Sequence, residues 1–305
     1  MIKIGITYLY TIFKYGYPPR INDDMKALSS IAAMGFHYLE MEGLGEEHSE
    51  NIWKRREEYK NCLEENRIHV HNFCIVDPAL VSLNKTDREH AYERFERTIQ
   101  LGNYLGTETF HLASYAPPIS YIGDTPYKLG AKGYKFGDRF EISIPDDFSW
   151  PEVWSVLVES CKFSAGVAAK YGKTIIMEPR VGEIICSVDS MLRLIDDVGM
   201  PNFKANFDTG HFSAQRENVP LALMKLRGKF ANIHIADNDP VNPVHLPIGD
   251  GTIDWHEFFR ILRKIGYEGY LGIDLGGKET IEQDLIRSRE FVIDAARQAG
   301  IEVEW

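Results

Sequence analysis

Five apolar runs of this sequence each end on a side chain that can hold a cation or move a proton. FHLAS carries His111, IIMEPR carries Glu178, NFDTGH carries Asp208 and His211, NIHIADND carries His234 with Asp237 and Asp239 beyond it, and GIDLGG carries Asp274. Taken singly, each has an ordinary structural reading, a buried histidine with one hydrogen bond or a carboxylate in an ion pair. Taken together they do not, because burying several carboxylates side by side without a cation is strongly unfavourable. One divalent cation resolves that conflict. Hard oxygen ligands mixed with one or two imidazoles suit Mn²⁺, Mg²⁺, Co²⁺ or Fe²⁺ better than a thiolate zinc site, with Mn²⁺ the expected ion. Such a cation polarises a carbonyl as a Lewis acid while a neighbouring base removes the adjacent proton. Glu178 is the first candidate base and His111 the second. Arg180, just past Glu178, can contact a substrate hydroxyl or oxyanion, or close a salt bridge at the rim.

These side chains meet only if the strands that carry them lie side by side. The apolar pattern predicts eight strands, Ile2–Tyr8, Tyr38–Met41, His69–Ile75, Thr107–Ala113, Thr174–Glu178, Phe203–Asp208, Ala231–Ala236 and Tyr270–Asp274. Between them it predicts helices over Asp23–Met34, Glu50–Asn66, Lys85–Leu105, Trp150–Tyr171, Val188–Val198, Val219–Arg227, Asp254–Ile265 and Ile281–Gln298. Gly35, Gly106, Gly172, Gly199 and Gly266 each follow a helical stretch, where a left-handed residue is expected, and Ser187 and Asp254 stand at N-cap positions. This alternation predicts an α/β chain, a single (β/α)₈ TIM barrel over residues 1–305, whose active site gathers at the C-terminal ends of the strands. A doubly wound sheet would offer a glycine-rich phosphate loop after its first strand. Here that place reads TYLYTIFKYGYPP.

One connection is too long for a simple turn. Residues 115–149, after the fourth strand, carry Tyr115, Tyr121, Tyr127, Tyr134, Phe136, Phe140 and Phe148. Such a segment is expected to be a lid, a pocket wall or a subunit contact. The chain has 305 residues and a net charge of −11, which argues against a nucleic-acid partner. Cys62, Cys74, Cys161 and Cys186 have no CxxC spacing and read as reduced thiols of a cytoplasmic protein. No apolar run is long enough to span a membrane, and the N-terminus reads as a strand rather than a leader.

Four motifs add a resemblance covering essentially the whole chain: MEP at Met177–Pro179, the D-x-x-H of Asp208 and His211, His234, and HLPIGDGTIDW from His245 to Trp255. With these the sequence resembles the xylose-isomerase-like barrel superfamily, which includes ketose 3-epimerases, hydroxypyruvate isomerase, inosose dehydratase and endonuclease IV. In the epimerase-like members the metal ligands would correspond to Glu178, Asp208, His234 and Asp274, with His211 touching substrate. Asp274 replaces a Glu that also shuttles a proton in those enzymes, and it is one methylene shorter. His245 and Arg180 complete the expected substrate contacts. The resemblance implies proton abstraction beside the carbonyl of a keto-sugar, giving isomerisation or epimerisation. The alternative is β-elimination, as in the large subunit of C-glycoside deglycosidases, which act on 3-keto C-glycosides and pair with a small β-type subunit. A homo-oligomer acting on a small sugar or glycoside is otherwise expected. The endonuclease IV reading would recruit His69 or His71, His111 and His245 to further metals, but Asn242 and Pro243 stand where its acidic partner should be, and Asp274 departs from it too.

Overall fold

The apolar runs pair with one another in sequence order. A computed structural model describes every residue except Tyr134, Phe136, Pro240 and Lys278, and of Ala131 only the backbone. Its strands are β1 (Ile2–Ile6), β2 (Tyr38–Leu44), β3 (His69–Val76) and β4 (Thr109–Ala113), then β5 (Ser120–Ile122) and β6 (Glu141–Ser143). They continue with β7 (Thr174–Glu178), β8 (Phe203–Asp208), β9 (Phe230–Ile235), β10 (Tyr270–Ile273) and the short β11 (Val303–Glu304). Among the described residues, β1 to β4 and β7 to β10 form eight parallel strands in that order. The sheet closes where β1 pairs with β10, from Lys3 opposite Tyr270 to Ile6 opposite Ile273. The fold is a TIM barrel.

The helices form where amphipathic patterns and caps coincide. Val188–Val198 opens on a capping box made by Ser187 and Ser190, and Gly199 ends it at φ 65°. Asp254 caps Trp255–Ile265 by accepting the Glu257 amide, and Gly266 closes that helix at φ 69°. Gly35, Gly106 and Gly172 also take positive φ, as their positions before strands predict. Strand β1 ends at Ile6 rather than Tyr8 and is followed by a helix, Leu9–Tyr15, that the pattern does not predict, and two further boundaries differ by more than two residues. The stretch predicted as one helix over Glu50–Asn66 is two, Gly45–Lys54 and Arg56–Glu65, broken at Arg55 with φ −113°. Strand β2 continues past Met41 to Leu44, which brings Glu42 into the sheet alongside Glu40. No described helix is long and apolar enough to cross a membrane.

The long connection is structured. It contains the antiparallel β5–β6 hairpin and the helix Pro126–Lys132, capped by Thr125. Tyr115 is buried, whereas Phe140 is substantially exposed. Tyr134 and Phe136 lie outside the described residues.

Side chains alternate along a strand, so one set faces the helices and the other the barrel interior. Mutual hydrogen bonds identify the interior set. Asn232 Nδ2 donates to Asn206 Oδ1 at 2.9 Å, and Asn206 Nδ2 donates to Glu178 Oε1 at 2.9 Å. Across the barrel, Thr109 Oγ1 donates to Asn72 Oδ1 at 2.8 Å, and Asn72 Nδ2 donates to Glu40 Oε2. Met177, Phe207 and Ile233, each next to an interior residue in its strand, are fully buried on the helix side. The barrel floor is therefore a pair of asparagine-based ladders, each ending on a carboxylate.

Candidate active site

Those two carboxylates converge on one imidazole. His234, near the end of β9, places Nδ1 2.9 Å from Glu178 Oε1 and Nε2 3.0 Å from Glu40 Oε2. Asp208 Oδ2 lies 3.8 Å from the same Nδ1. Glu178, Asp208 and His234 offer ligand atoms that all lie within 4.8 Å of one another, and all three residues are buried. His111 lies above Glu40 and Glu178, with Nδ1 3.4 Å from the first and Nε2 3.8 Å from the second. His211 Nε2 is 3.9 Å from Glu178 Oε2. His245 Nε2 is 3.7 Å from Asp208 Oδ1 and 3.6 Å from Asp274 Oδ2.

Local structure explains why each arrives there. Asp208 ends β8 and caps the helix Thr209–Ala214, its Oδ1 accepting the His211 amide at 2.7 Å. The D-x-x-H spacing thus brings the cap and the first helical turn to one place. Asp237 accepts from the Gly249 and Ile253 amides and from the Trp255 indole at 3.0, 3.1 and 2.7 Å. A Cβ on Gly251 would lie 2.2 Å from Asp237 Oδ1, so that glycine is required by close approach. Asn238 Oδ1 accepts the His245 amide at 3.1 Å. This holds His245 over the site at φ 49°. Asp237 is therefore a loop anchor rather than a ligand. Asp239 is likewise local, its Oδ1 accepting the Val241 and Asn242 amides at 2.7 and 2.6 Å.

The charges are mutually balanced. Burial opposes ionisation of Glu178, but His111, His234 and His211 hold its carboxyl well below the usual range. Glu40 is likewise opposed by burial and held down by His234 and His111. His234 loses charge to burial and regains it from Glu40 and Glu178, ending well above an ordinary histidine. Burial lowers His211 to about 4. Asp274 is raised, by burial first and then by Asp208 and Glu178, against the pull of His245 and His234.

Of the expected ligands, Glu178, Asp208 and His234 are brought together, and Asp274 stands outside their group. Its Oδ1 accepts from the Thr7 hydroxyl at 2.5 Å, and its other oxygen faces His245. Arg180 lines the cavity but is already engaged. It pairs with Glu183 at 3.0 Å, donates to the Ser114 carbonyl at 3.0 Å, and lies 4.5 Å from the centroid of the Tyr127 ring. His71 does not reach the site: its ring stacks 4.1 Å from Tyr270, the residue that opens β10, at the opposite end of the barrel. His69 pairs with Glu108 there, at 2.9 Å. Cys74 occupies the site-facing end of β3 instead. Glu40, Glu42, Thr7, Tyr8 and Tyr127 also line the cavity, and sequence reasoning named none of these five for the metal or the chemistry. Burial and the neighbouring Glu40 carboxylate push Glu42 up to about 7.

A family model described as xylose isomerase-like TIM barrel matches residues 28–296. The chain belongs to that family. Among curated relatives, the L-ribulose-5-phosphate 3-epimerase UlaE of Shigella boydii is 22% identical over 287 residues, covering 91% of each chain. Two solved structures share the fold over almost the whole length. D-psicose 3-epimerase of Clostridium cellulolyticum has a TM-score of 0.73 at 18% identity, covering 98% of this chain and 100% of its own. The 3-keto-D-glucoside 4-epimerase of E. coli has a TM-score of 0.72 at 19% identity, covering 96% of this chain and 100% of its own.

The residues present fit a divalent cation. Asp208 Oδ2, both nitrogens of His111, Nδ1 of His211 and Nε2 of His245 are buried and make no hydrogen bond. Buried polar atoms normally find partners, and these leave several lone pairs at one place free to hold a cation.

Proposed function

We propose that this chain is a divalent-cation-dependent isomerase or epimerase of an unphosphorylated keto-sugar, with Glu178, Asp208 and His234 as the principal cation ligands and Asp274 as the fourth. The observation that carries this reading is the buried grouping of Glu178, Asp208 and His234, with an unpartnered Asp208 oxygen, at the C-terminal end of a parallel barrel. Manganese is the ion we assign, because carboxylate oxygens suit hard cations of this kind, with Mg²⁺, Co²⁺ and Fe²⁺ as the alternatives. Held there, the cation supplies Lewis-acid polarisation of the substrate carbonyl.

The chain's own groups do the proton chemistry. Glu178 takes the proton beside the carbonyl, and Asn206 fixes its Oε1 through the 2.9 Å hydrogen bond. His111, with two unpaired ring nitrogens over the same carboxylate, serves as the second proton carrier. His211, held neutral by burial, and His245 contact substrate hydroxyls. Tyr8, Phe13 and Tyr127 give the sugar ring apolar walls. Among the described residues lining the cavity, Arg180 is the only cation apart from imidazoles, and Glu183 neutralises it. Lys14, near the rim, is paired with Glu282 at 2.7 Å. This argues for an uncharged sugar rather than a sugar phosphate.

Asp274 keeps a second reading open. Its short side chain is tied to Thr7, so a second base on the far face is not assured, and elimination of a β-substituent needs only one. Metal-loaded protein incubated in D₂O with keto-sugars, their phosphates and 3-keto O- and C-glycosides tests both. Deuterium in recovered, unphosphorylated sugar supports isomerisation or epimerisation, and release of an aglycone supports elimination. If neither deuterium uptake nor aglycone release occurs with any of these compounds, the enolisation reading fails.

A further inference from the structure

His234 lies between two carboxylates, and they differ in their surroundings. Glu178 belongs with Asp208 to the ligand group, so His234 Nδ1, 2.9 Å from Glu178, faces the cation position. Glu40 stands on the other side, 3.0 Å from Nε2 and outside that group; its own close neighbours are Cys74 and His111, with which it forms a second buried cluster of possible ligand atoms. Its Oε2 is held by the Asn72 amide, and Asn72 is held in turn by the Thr109 hydroxyl. Leu39 pairs with Val70 and Glu40 with Asn72, so the register shift skips His71 on β3 and sets Asn72 directly opposite the carboxylate it holds. Glu40 and Asn72 are both buried, at 5% and 0% exposed.

We infer that Glu40 is a positioning residue: by accepting the Nε2 proton of His234 it fixes the tautomer and ring plane that present Nδ1 to the divalent cation. The inference rests on the proposed cation site and adds to it a partner that none of the family motifs above contains. A carboxylate behind a ligating imidazole makes the ligand more basic and prevents the ring from turning over. The same oxygen also lies 3.4 Å from His111 Nδ1.

The tautomer distinguishes this role from a merely structural one. Protein labelled with ¹⁵N at histidine and loaded with Zn²⁺, a diamagnetic probe, should show His234 as one species protonated at Nε2. In Glu40→Gln, which keeps the size and loses the charge, His234 should show both ring nitrogens as ligand, and calorimetric affinity for Mn²⁺ should fall 10- to 100-fold. Asn72→Leu, which leaves every imidazole and carboxylate in place, should weaken Mn²⁺ binding by a smaller factor and serves if Glu40→Gln does not fold. Affinity within about twofold of wild type in both variants overturns the inference, and so does weakened affinity with the His234 tautomer unchanged. A wild-type protein that takes up neither Mn²⁺ nor Zn²⁺ overturns the cation reading itself, and this inference with it.

Discussion

Asp208→Asn separates the ligand role of Asp208 from its structural one. The native carboxylate does two things with two oxygens: Oδ1 accepts the His211 amide at 2.7 Å, and Oδ2 is buried without a donor. Asparagine is as good an N-cap as aspartate, so the amide oxygen can keep the first bond and the helix start. The nitrogen then replaces Oδ2, removing one of the two carboxylates in the three-residue group and placing a donor where a lone pair is needed. Loss of an outer partner of a ligand weakens metal binding by roughly 10- to 100-fold. Loss of the ligand itself should therefore cost at least about 100-fold. At Mn²⁺ equal to about 100 times the wild-type Kd, binding stabilises the native state by about 2.7 kcal/mol, and a 100-fold weaker variant keeps only about 0.4 kcal/mol. For 305 residues, at about 2.1 cal/mol/K of unfolding entropy each, every kcal/mol moves Tm by about 1.6 °C, so wild type should gain about 4 °C and the variant less than about 1 °C. Thermal unfolding with and without Mn²⁺ reads both, and the unloaded Tm reports whether the cap survived. A full wild-type gain in the Asn variant would refute the ligand assignment.

His111→Gln should lower kcat by about 10²- to 10⁴-fold while metal stoichiometry stays at the wild-type value, read by steady-state kinetics beside metal analysis; loss of the metal as well would make His111 a ligand. Gly182→Ala puts a Cβ 2.3 Å from Pro126 Cβ at φ 74°, so the helix carrying Tyr127 must shift off Arg180. KM should rise several-fold with Mn²⁺ affinity unchanged, and an unchanged KM would remove Tyr127 from the substrate wall. His71, which burial lowers to about 3, makes a pH prediction. Its folded pKa lies below the unfolded value of about 6.5, so the unfolded chain binds the extra proton and stability falls as pH drops from about 6.5 towards 3. At pH 5 the linkage amounts to about 2 kcal/mol, which His71→Phe should abolish. Urea unfolding of both proteins at pH 7 and pH 5 checks this, and equal losses on acidification would exclude His71 as the acid-sensitive group.

The parts of the site that could be read from sequence are those at strand ends. Glu178, Asp208 and His234 follow apolar runs, and parallel neighbours in a barrel bring such positions together whatever the loop lengths. Glu40 needed a finer argument. In YLEMEGL, Leu39 and Met41 alternate with Glu40 and Glu42. If the apolar pair faces the helices, the two acids face the interior, and the same parity puts Asn72 and Cys74 there on β3. That signal was present, but ending the strand at Met41 made Glu42 and its neighbours look like loop. His71, which only the endonuclease IV reading would recruit, shows the opposite case. A histidine in an interior strand suggests a ligand, yet its position early in β3 puts it at the end of the barrel away from the chemistry, beside Tyr270.

Family-specific sequence and catalytic chemistry also part company in HLPIGDGTIDW. In the structure most of this string is tied down by Asp237, which gathers the Gly249 and Ile253 amides and the Trp255 indole, while Asp254 caps the following helix. Of its residues only His245 enters the cavity, where it stands between Asp208 and Asp274 at 3.7 and 3.6 Å. An imidazole there screens two carboxylates from each other, and it stands between Asp274 and the three-residue group that Asp274 is proposed to complete. The length of residue 274 and the position of His245 are therefore coupled. A glutamate at 274 would reach one methylene further, into the space between His245 and Asp208. Asp274→Glu should thus strengthen Mn²⁺ binding only if His245 can yield. The double variant with His245→Ala decides that: equal gains in affinity in the presence and absence of the imidazole would show that the two residues act independently.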